Sequence, residues 1–158
     1  MRFLRLSWDD GAKLTEELIE KTADYKPDVL IGVSRGGLVP LRIFSDITGI
    51  KKIGVLGIQF YKAIGKTNKF PEITHDMPLY IKGKKVLIID DVADTGKSLV
   101  EARKYIEKKG AKEIRTATLH YKPTSEIKPD YYIATTTDWI IYPWEVHEAE
   151  RELKTIKK

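Results

Sequence analysis

The sequence predicts an α/β fold with a parallel-sheet core and helices on both faces. Three observations carry that expectation. Short, almost wholly apolar runs at Val29–Val33 and Val86–Ile89 have the composition of strands covered on both sides. Segments of helical spacing follow at Leu38–Thr48 and Lys97–Lys109. Strand and helix then alternate, an order that gathers ligands at the C-terminal ends of the strands.

The elements follow in order. Ser7-Trp-Asp-Asp10 places a serine at an N-cap with a carboxylate three residues on, and Leu14, Leu18, Ile19 and Thr22 continue at helical spacing. A helix is expected from Trp8 to Tyr25, ended by Pro27-Asp28. After the Val29–Val33 strand, Ser34–Gly37 reads as a turn. The helix behind it tolerates Pro40 in its first turn and has Gly49 as its C-terminal cap. A strand is expected from Ile53 to Phe60. From Tyr61 to Lys85 periodicity is lost and Gly65, Pro71 and Pro78 accumulate, the composition of a long exposed loop or weak hairpin. The Lys97–Lys109 helix carries Leu99, Ala102, Tyr105 and Ile106 on one side and stops at Gly110. Ile114–Leu119 and Tyr131–Ala134 read as further strands, and Trp144–Lys158 as a short polar helix.

Composition narrows the chemistry. The chain has 158 residues, enough for one core, and residues 1–158 read as a single domain without repeat or linker. Cysteine is absent, which excludes thiol nucleophiles, disulfides and sulfur-bound metal clusters. Three isolated histidines, His75, His120 and His147, make a poor metal site. No window reaches the ~20 apolar residues of a membrane span, and Met1 opens into a basic amphipathic segment, so a cytoplasmic protein is expected. Lysine numbers 21, and Gln59 and Asn68 are the only side-chain amides, a composition that points to a thermophilic source. The formal net charge of +5 and the basic tail from Arg151 raise the question of nucleic acid, but a polyanionic small substrate accounts for them more simply.

The chemistry is carried by the stretch from Val86 to Ser98. An apolar strand delivers Asp90 and Asp91, and Asp94-Thr-Gly-Lys-Ser98 then opens a helix. That turn offers backbone N–H groups, the hydroxyls of Thr95 and Ser98, and the positive end of a helix, which suit a phosphate monoester. Gly96 lets the backbone approach closely. The two carboxylates can accept hydrogen bonds from a vicinal diol and hold magnesium, a cation that takes carboxylate and substrate oxygens. A phosphate grip beside a diol grip describes a ribose 5-phosphate. A P-loop reading of Gly96-Lys-Ser98 fails, because the position that needs its first glycine holds Asp91.

These residues resemble the 5-phosphoribosyl pyrophosphate (PRPP) motif of type I phosphoribosyltransferases. Val33-Ser-Arg-Gly-Gly-Leu-Val-Pro40 is similar to the pyrophosphate loop of the xanthine-guanine members, and Lys122-Pro123, Asp138-Trp-Ile140 and Pro143-Trp144 are similar to their base-binding region. The likeness runs from about residue 29 to residue 145, and the chain departs from it at Phe60-Tyr61, where purine members carry Ser-Tyr.

The resemblance implies the type I phosphoribosyltransferase fold, with a small C-terminal hood over residues 120–145, and transfer of phosphoribose from PRPP to a 6-oxopurine. The products would be a nucleoside 5′-monophosphate and pyrophosphate. Carried over by position, Asp90 and Asp91 bind the ribose hydroxyls and Mg2+, with Asp91 as its main contact. Asp94, Thr95, Gly96, Lys97 and Ser98 hold the 5′-phosphate. Ser34, Arg35, Gly36 and Gly37 hold pyrophosphate, across a cis peptide between Ser34 and Arg35. Asp94 is the general base at N7, Lys122 bonds O6, Trp139 stacks on the base, and the Ile140 backbone meets its edge. A homodimer or homotetramer is implied as well.

Charge separation at the ribose carbon calls for positioned charges and exclusion of water. The polar, glycine-containing Tyr61–His75 stretch is therefore expected to be the lid. Two alternatives stay open: an adenine phosphoribosyltransferase, or a PRPP-sensing regulator that binds nucleic acid.

Overall fold

The computed structural model describes residues 1–62, 64–65 and 69–157. Over these the chain runs β1 (Phe3–Arg5), α1 (Trp8–Lys21), β2 (Val29–Ser34), α2 (Leu38–Thr48), β3 (Ile53–Lys62) and β4 (Lys69–His75). It continues through β5 (Lys85–Ala93), α3 (Lys97–Lys108), β6 (Glu113–Tyr121), β7 (Tyr131–Thr135), β8 (Trp139–Ile141) and α4 (Val146–Ile156). The main sheet has the order β4-β3-β2-β5-β6-β7. Every neighbouring pair in it is parallel except β3–β4, an antiparallel hairpin. No described helix is long and apolar enough to cross a membrane.

The apolar runs are strands because both their faces are covered. Val86, Leu87, Ile88 and Ile89 are each fully buried. Alternate side chains go to opposite layers, as the period of two requires. Val29, Ile31, Val86 and Ile88 pack with Leu99, Ala102 and Ile106 of α3. Leu30, Leu87 and Ile89 pack with Leu18 and Ile19 of α1 and Leu41 and Phe44 of α2.

Successive strands are laid down outward in opposite directions from β2 and β5, which makes the gap between them the switch point at which open α/β sheets bind ligands. There β5 outruns its neighbour. Its pairing with β2 ends at Gly32↔Ile89, whereas its pairing with β6 continues through Asp90↔Thr118 to Ala93↔Tyr121. Asp90 and Asp91 are therefore strand residues with one side of their strand left open.

Several boundaries differ from the sequence expectation. The capping box forms, with Ser7 Oγ accepting from Asp10 N at 3.1 Å and Asp10 Oδ2 accepting from Ser7 N at 2.8 Å. Yet α1 stops at Lys21, because the Thr22 hydroxyl bonds back to Ile19 O at 2.9 Å and Tyr25 turns into the core, its OH donating to Val86 O at 2.9 Å. The Tyr61–Lys85 stretch contributes β4 of the hairpin; residues 63 and 66–68, which fall within the expected lid, lie outside the described residues. Helix α4 begins at Val146, after a 3-10 turn at Pro143–Glu145. Strands β1 and β8 were not signalled by periodicity; they form a separate parallel pair, Phe3↔Trp139 through Arg5↔Ile141.

The turn after β2 is packed tightly against β5. Gly37 N donates to Val33 O at 2.8 Å, and a side chain on Gly37 would collide with the Ile89 and Val33 carbonyl oxygens. Backbone atoms at the centre of a sheet cannot yield. Gly37→Ala is expected to cost about 1–3 kcal/mol of stability in urea unfolding; an unchanged midpoint would show that the turn has room to move.

Candidate active site

The acidic pair sits at the open flank of β5 and is almost wholly enclosed, Asp90 being 9% and Asp91 7% exposed. Their contacts fix them without neutralising them. Asp91 N donates to Asp90 Oδ1 at 2.9 Å, and Trp144 Nε1 donates to Asp91 Oδ2 at 3.3 Å. Among the described residues no lysine, arginine or histidine lies within ion-pair distance of either carboxylate. Burial drives the Asp90 carboxyl well above the usual range, and the adjacent Asp91 charge pushes the same way. Burial also raises Asp91, with the Trp144 hydrogen bond opposing it. Glu145, on the facing 3-10 turn, is pushed up to about 7 by burial and by the charge of Asp91.

Such a site fits a hard divalent cation. Two buried carboxyl groups stand together with no cationic partner among the described residues, and Mg2+ takes one or two carboxylates together with substrate oxygens. Among the described residues no three potential ligands converge into a self-sufficient metal site. A magnesium ion here would be held by Asp90 and Asp91 and completed by the substrate.

The backbone of Asp91 is fixed by a second network. Tyr142 OH donates to Asp91 O at 3.0 Å, and His120 Nδ1 lies 2.7 Å from the same phenol oxygen. With the phenol proton committed to the carbonyl, His120 Nδ1 is the donor of that pair, which requires the Nδ1–H tautomer. Burial, assisted by Lys122, lowers the His120 pKa to about 4 and keeps the ring neutral. The Tyr142 and Trp144 rings stack at 5.0 Å and 8°. Gly11 of α1 leaves the space for that stack, since a Cβ there would lie 2.8 Å from the Trp144 ring.

Three cavities adjoin around these residues. The largest, about 450 Å³, lies among Ser34, Arg35, Gly36, Asp91, Trp144 and Glu148. A small one of about 80 Å³ is lined by Asp94, Thr95, Gly96 and Ser98 and shares Asp90 and Ser98 with the first. A third, about 390 Å³, is bounded by Met1, Arg2, Asp94, Lys122, Thr137 and Trp139 and shares Asp94 with the second.

Each cavity has a distinct chemistry. In the first, the Ser34–Arg35 peptide is cis. A Cβ on Gly36 would lie 2.5 Å from both carboxylate oxygens of Asp91, so only a bare backbone fits against that carboxylate. Arg35 Nη2 donates to both oxygens of Glu148 at 2.7 Å. The second cavity lies at the N-terminus of α3, where Gly96 at φ +81° takes a left-handed conformation that suits glycine. Lys97 contributes its backbone to this turn, while its side chain is exposed and does not line the cavity. In the third, the Lys122 side chain is only 16% exposed and its Nζ pairs with Asp94 Oδ2 at 3.4 Å. Lys122 is thus unlike the solvated lysines of the surface. Trp139 stands at the wall with Phe3 6.0 Å away, whereas Ile140 is buried in the core, in register with Leu4 of β1, and lines none of the three cavities.

Most of the residues singled out from sequence therefore line one of the three cavities, while Gly37, Lys97 and Ile140 line none of them. Several others join them that sequence reasoning missed. Trp144, grouped by resemblance with the base-binding region, lies in the cavity of Asp91 and Arg35 instead of that of Lys122. Tyr142, His120, Glu145 and Glu148 carried no local signal, because their roles depend on contacts with strands and turns far away in the chain. Met1 and Arg2 reach the third cavity through the β1–β8 pairing, with Trp139 N donating to Arg2 O at 2.9 Å and Arg2 paired to Asp138 at 3.5 Å.

Comparison with known proteins gives this geometry a lineage. The sequence profile described as "Phosphoribosyl transferase domain" matches residues 4–151. The crystal structure of a purine phosphoribosyltransferase from Pyrococcus horikoshii superposes with a TM-score of 0.85 and 42% identity, over 91% of this chain and 94% of that one. The xanthine-guanine phosphoribosyltransferase of Idiomarina loihiensis is 27% identical over 90% of this chain and 86% of its own. The hypoxanthine-guanine phosphoribosyltransferase of Schizosaccharomyces pombe is 27% identical over 98% and 95%. The profile match spans the Ser34 turn, the acidic strand end and the Lys122–Trp139 cavity alike, and with it this chain belongs to the phosphoribosyltransferase family.

Proposed function

We propose that the chain is a purine salvage enzyme that transfers the 5-phosphoribosyl group of PRPP to a 6-oxopurine, yielding a nucleoside 5′-monophosphate and pyrophosphate. The observation that carries this reading is the succession of three cavities joined by shared aspartates. Their linings match the groups that the two substrates present. Pyrophosphate lies at Ser34–Gly37, the ribose diol at Asp90 and Asp91, the 5′-phosphate at Thr95–Ser98, and the purine between Lys122 and Trp139.

The chemistry follows from charge. As the bond from ribose C1 to pyrophosphate lengthens, the ring becomes cationic and pyrophosphate leaves with the bonding electrons. Magnesium, when bound, would offset the charge gathering on the leaving group. Arg35 and the backbone amides of the turn receive that group, and the buried carboxylates face the ring cation. The purine enters between Lys122 and Asp94, exchanging their mutual contact for two new ones. O6 accepts from Lys122, and N7–H donates to Asp94, which takes the proton as N9 bonds to C1. A 6-amino group offers only donors to Lys122, which argues against adenine. The third cavity also argues against a PRPP-sensing regulator, which has no need of a base site. The same reading includes a hood over residues 120–145, cytoplasmic location, and assembly as a homodimer or homotetramer.

Two measurements test it. Free bases incubated with PRPP and magnesium should release pyrophosphate with guanine, hypoxanthine or xanthine and not with adenine; release with none of them contradicts the proposal. In the same assay Asp94→Asn should lower kcat by about 10² or more with the KM for PRPP little changed. Lys122→Ala should raise the KM for the base by roughly 10-fold or more. An equal loss of PRPP affinity in the lysine variant would make Lys122 a structural residue.

A further inference from the structure

Helix α4 is little used by the core. Ala149 is its only buried residue among those described, and neither apolar layer includes a side chain from it. Its tie to the site is polar. Glu148 receives two hydrogen bonds from Arg35 Nη2, 2.7 Å to each carboxylate oxygen. Both residues line the largest cavity, together with Asp90, Asp91 and Glu145. Four carboxylates and one guanidinium thus line the proposed pyrophosphate subsite, and the guanidinium is paired with Glu148.

A polyanion cannot use that space as it stands. Asp90 and Asp91 suit a cation that arrives with the substrate, but Glu148 faces the group that pyrophosphate needs and already occupies it. Carboxylate and phosphate oxygens are alternative acceptors for the same guanidinium N–H donors. The Arg35–Glu148 pair is also open to water, with side chains 75% and 37% exposed, so it is of the weakly held kind that exchanges readily.

We propose that Glu148 sets the affinity of the donor subsite by standing in for pyrophosphate on Arg35, so that the polyanion must displace it and free α4 from the cavity. The inference rests on the transferase reading above and adds an internal competitor to it. Glu148 acts through Arg35 and takes no part in the chemistry. Its effect is to weaken retention of pyrophosphate, because the carboxylate reclaims Arg35 as the product leaves.

The test is calorimetric titration of magnesium pyrophosphate into the unaltered chain, Glu148→Ala and Glu150→Ala. The last removes the same charge from the same helix at a residue that does not line the cavity. Glu148→Ala should bind about fivefold more tightly and Glu150→Ala as the unaltered chain does. Equal affinity for the unaltered chain and Glu148→Ala overturns the proposal, and so does equal tightening by both variants, which would be bulk charge alone. Absence of binding to the unaltered chain refutes the transferase reading itself, a different result from equal affinities. A second measurement needs no variant: magnesium pyrophosphate should accelerate tryptic cleavage of the unaltered chain at Arg151 and Lys154 of α4. Protection or an unchanged rate there contradicts displacement.

Discussion

Two ionisable carboxylates held out of water at the end of the central strand, with no cationic side chain among the described residues beside them, are the constraint around which this site is built. Such an arrangement is costly, since burial disfavours the charged form and the two charges repel. The fold accepts it at the point where β5 extends beyond β2, so that Asp90 and Asp91 are bonded on one flank only. Residues in and around the main cavity hold the acidic pair in place. Gly36 is bare where it meets Asp91, Trp144 holds one carboxylate oxygen, and Tyr142, itself bonded by His120, holds the carbonyl.

The sheet order also explains why the three cavities adjoin. A turn at the end of β2, a turn at the end of β5 and the segment after β6 are neighbours because their strands are neighbours. The parallel order of β2, β5 and β6 sets their C-terminal ends side by side. Asp94 lines both the second cavity and the third.

Much of this was legible in the sequence because it is local. Apolar runs four or five residues long, a capping box, and an acidic pair followed by Asp94-Thr-Gly-Lys-Ser98 each carry their meaning within a dozen residues. What stayed hidden is long-range. Strand β1 is three residues long and acquires its partner from residues 139–141. Trp144 shows its role only against Asp91, and Glu148 only against Arg35. The end of α1 was misread for a similar reason: Tyr25 fits the helical pattern but is claimed by the sheet through its bond to Val86.

The claim that matters most is that the buried charge of Asp90 is tolerated for the ligand's sake, and Asp90→Asn tests it directly. Asparagine keeps an acceptor for Asp91 N while removing the charge. Because the folded-state carboxyl is raised, the native state loses stability as pH climbs above the ordinary carboxylate range, and the variant escapes that loss. Thermal unfolding at pH 8 should show the ligand-free variant melting above the unaltered chain, while the rise in Tm that magnesium and PRPP give the unaltered chain is largely lost. A variant that melts lower without ligand, or that keeps the full ligand-induced rise, would contradict the account.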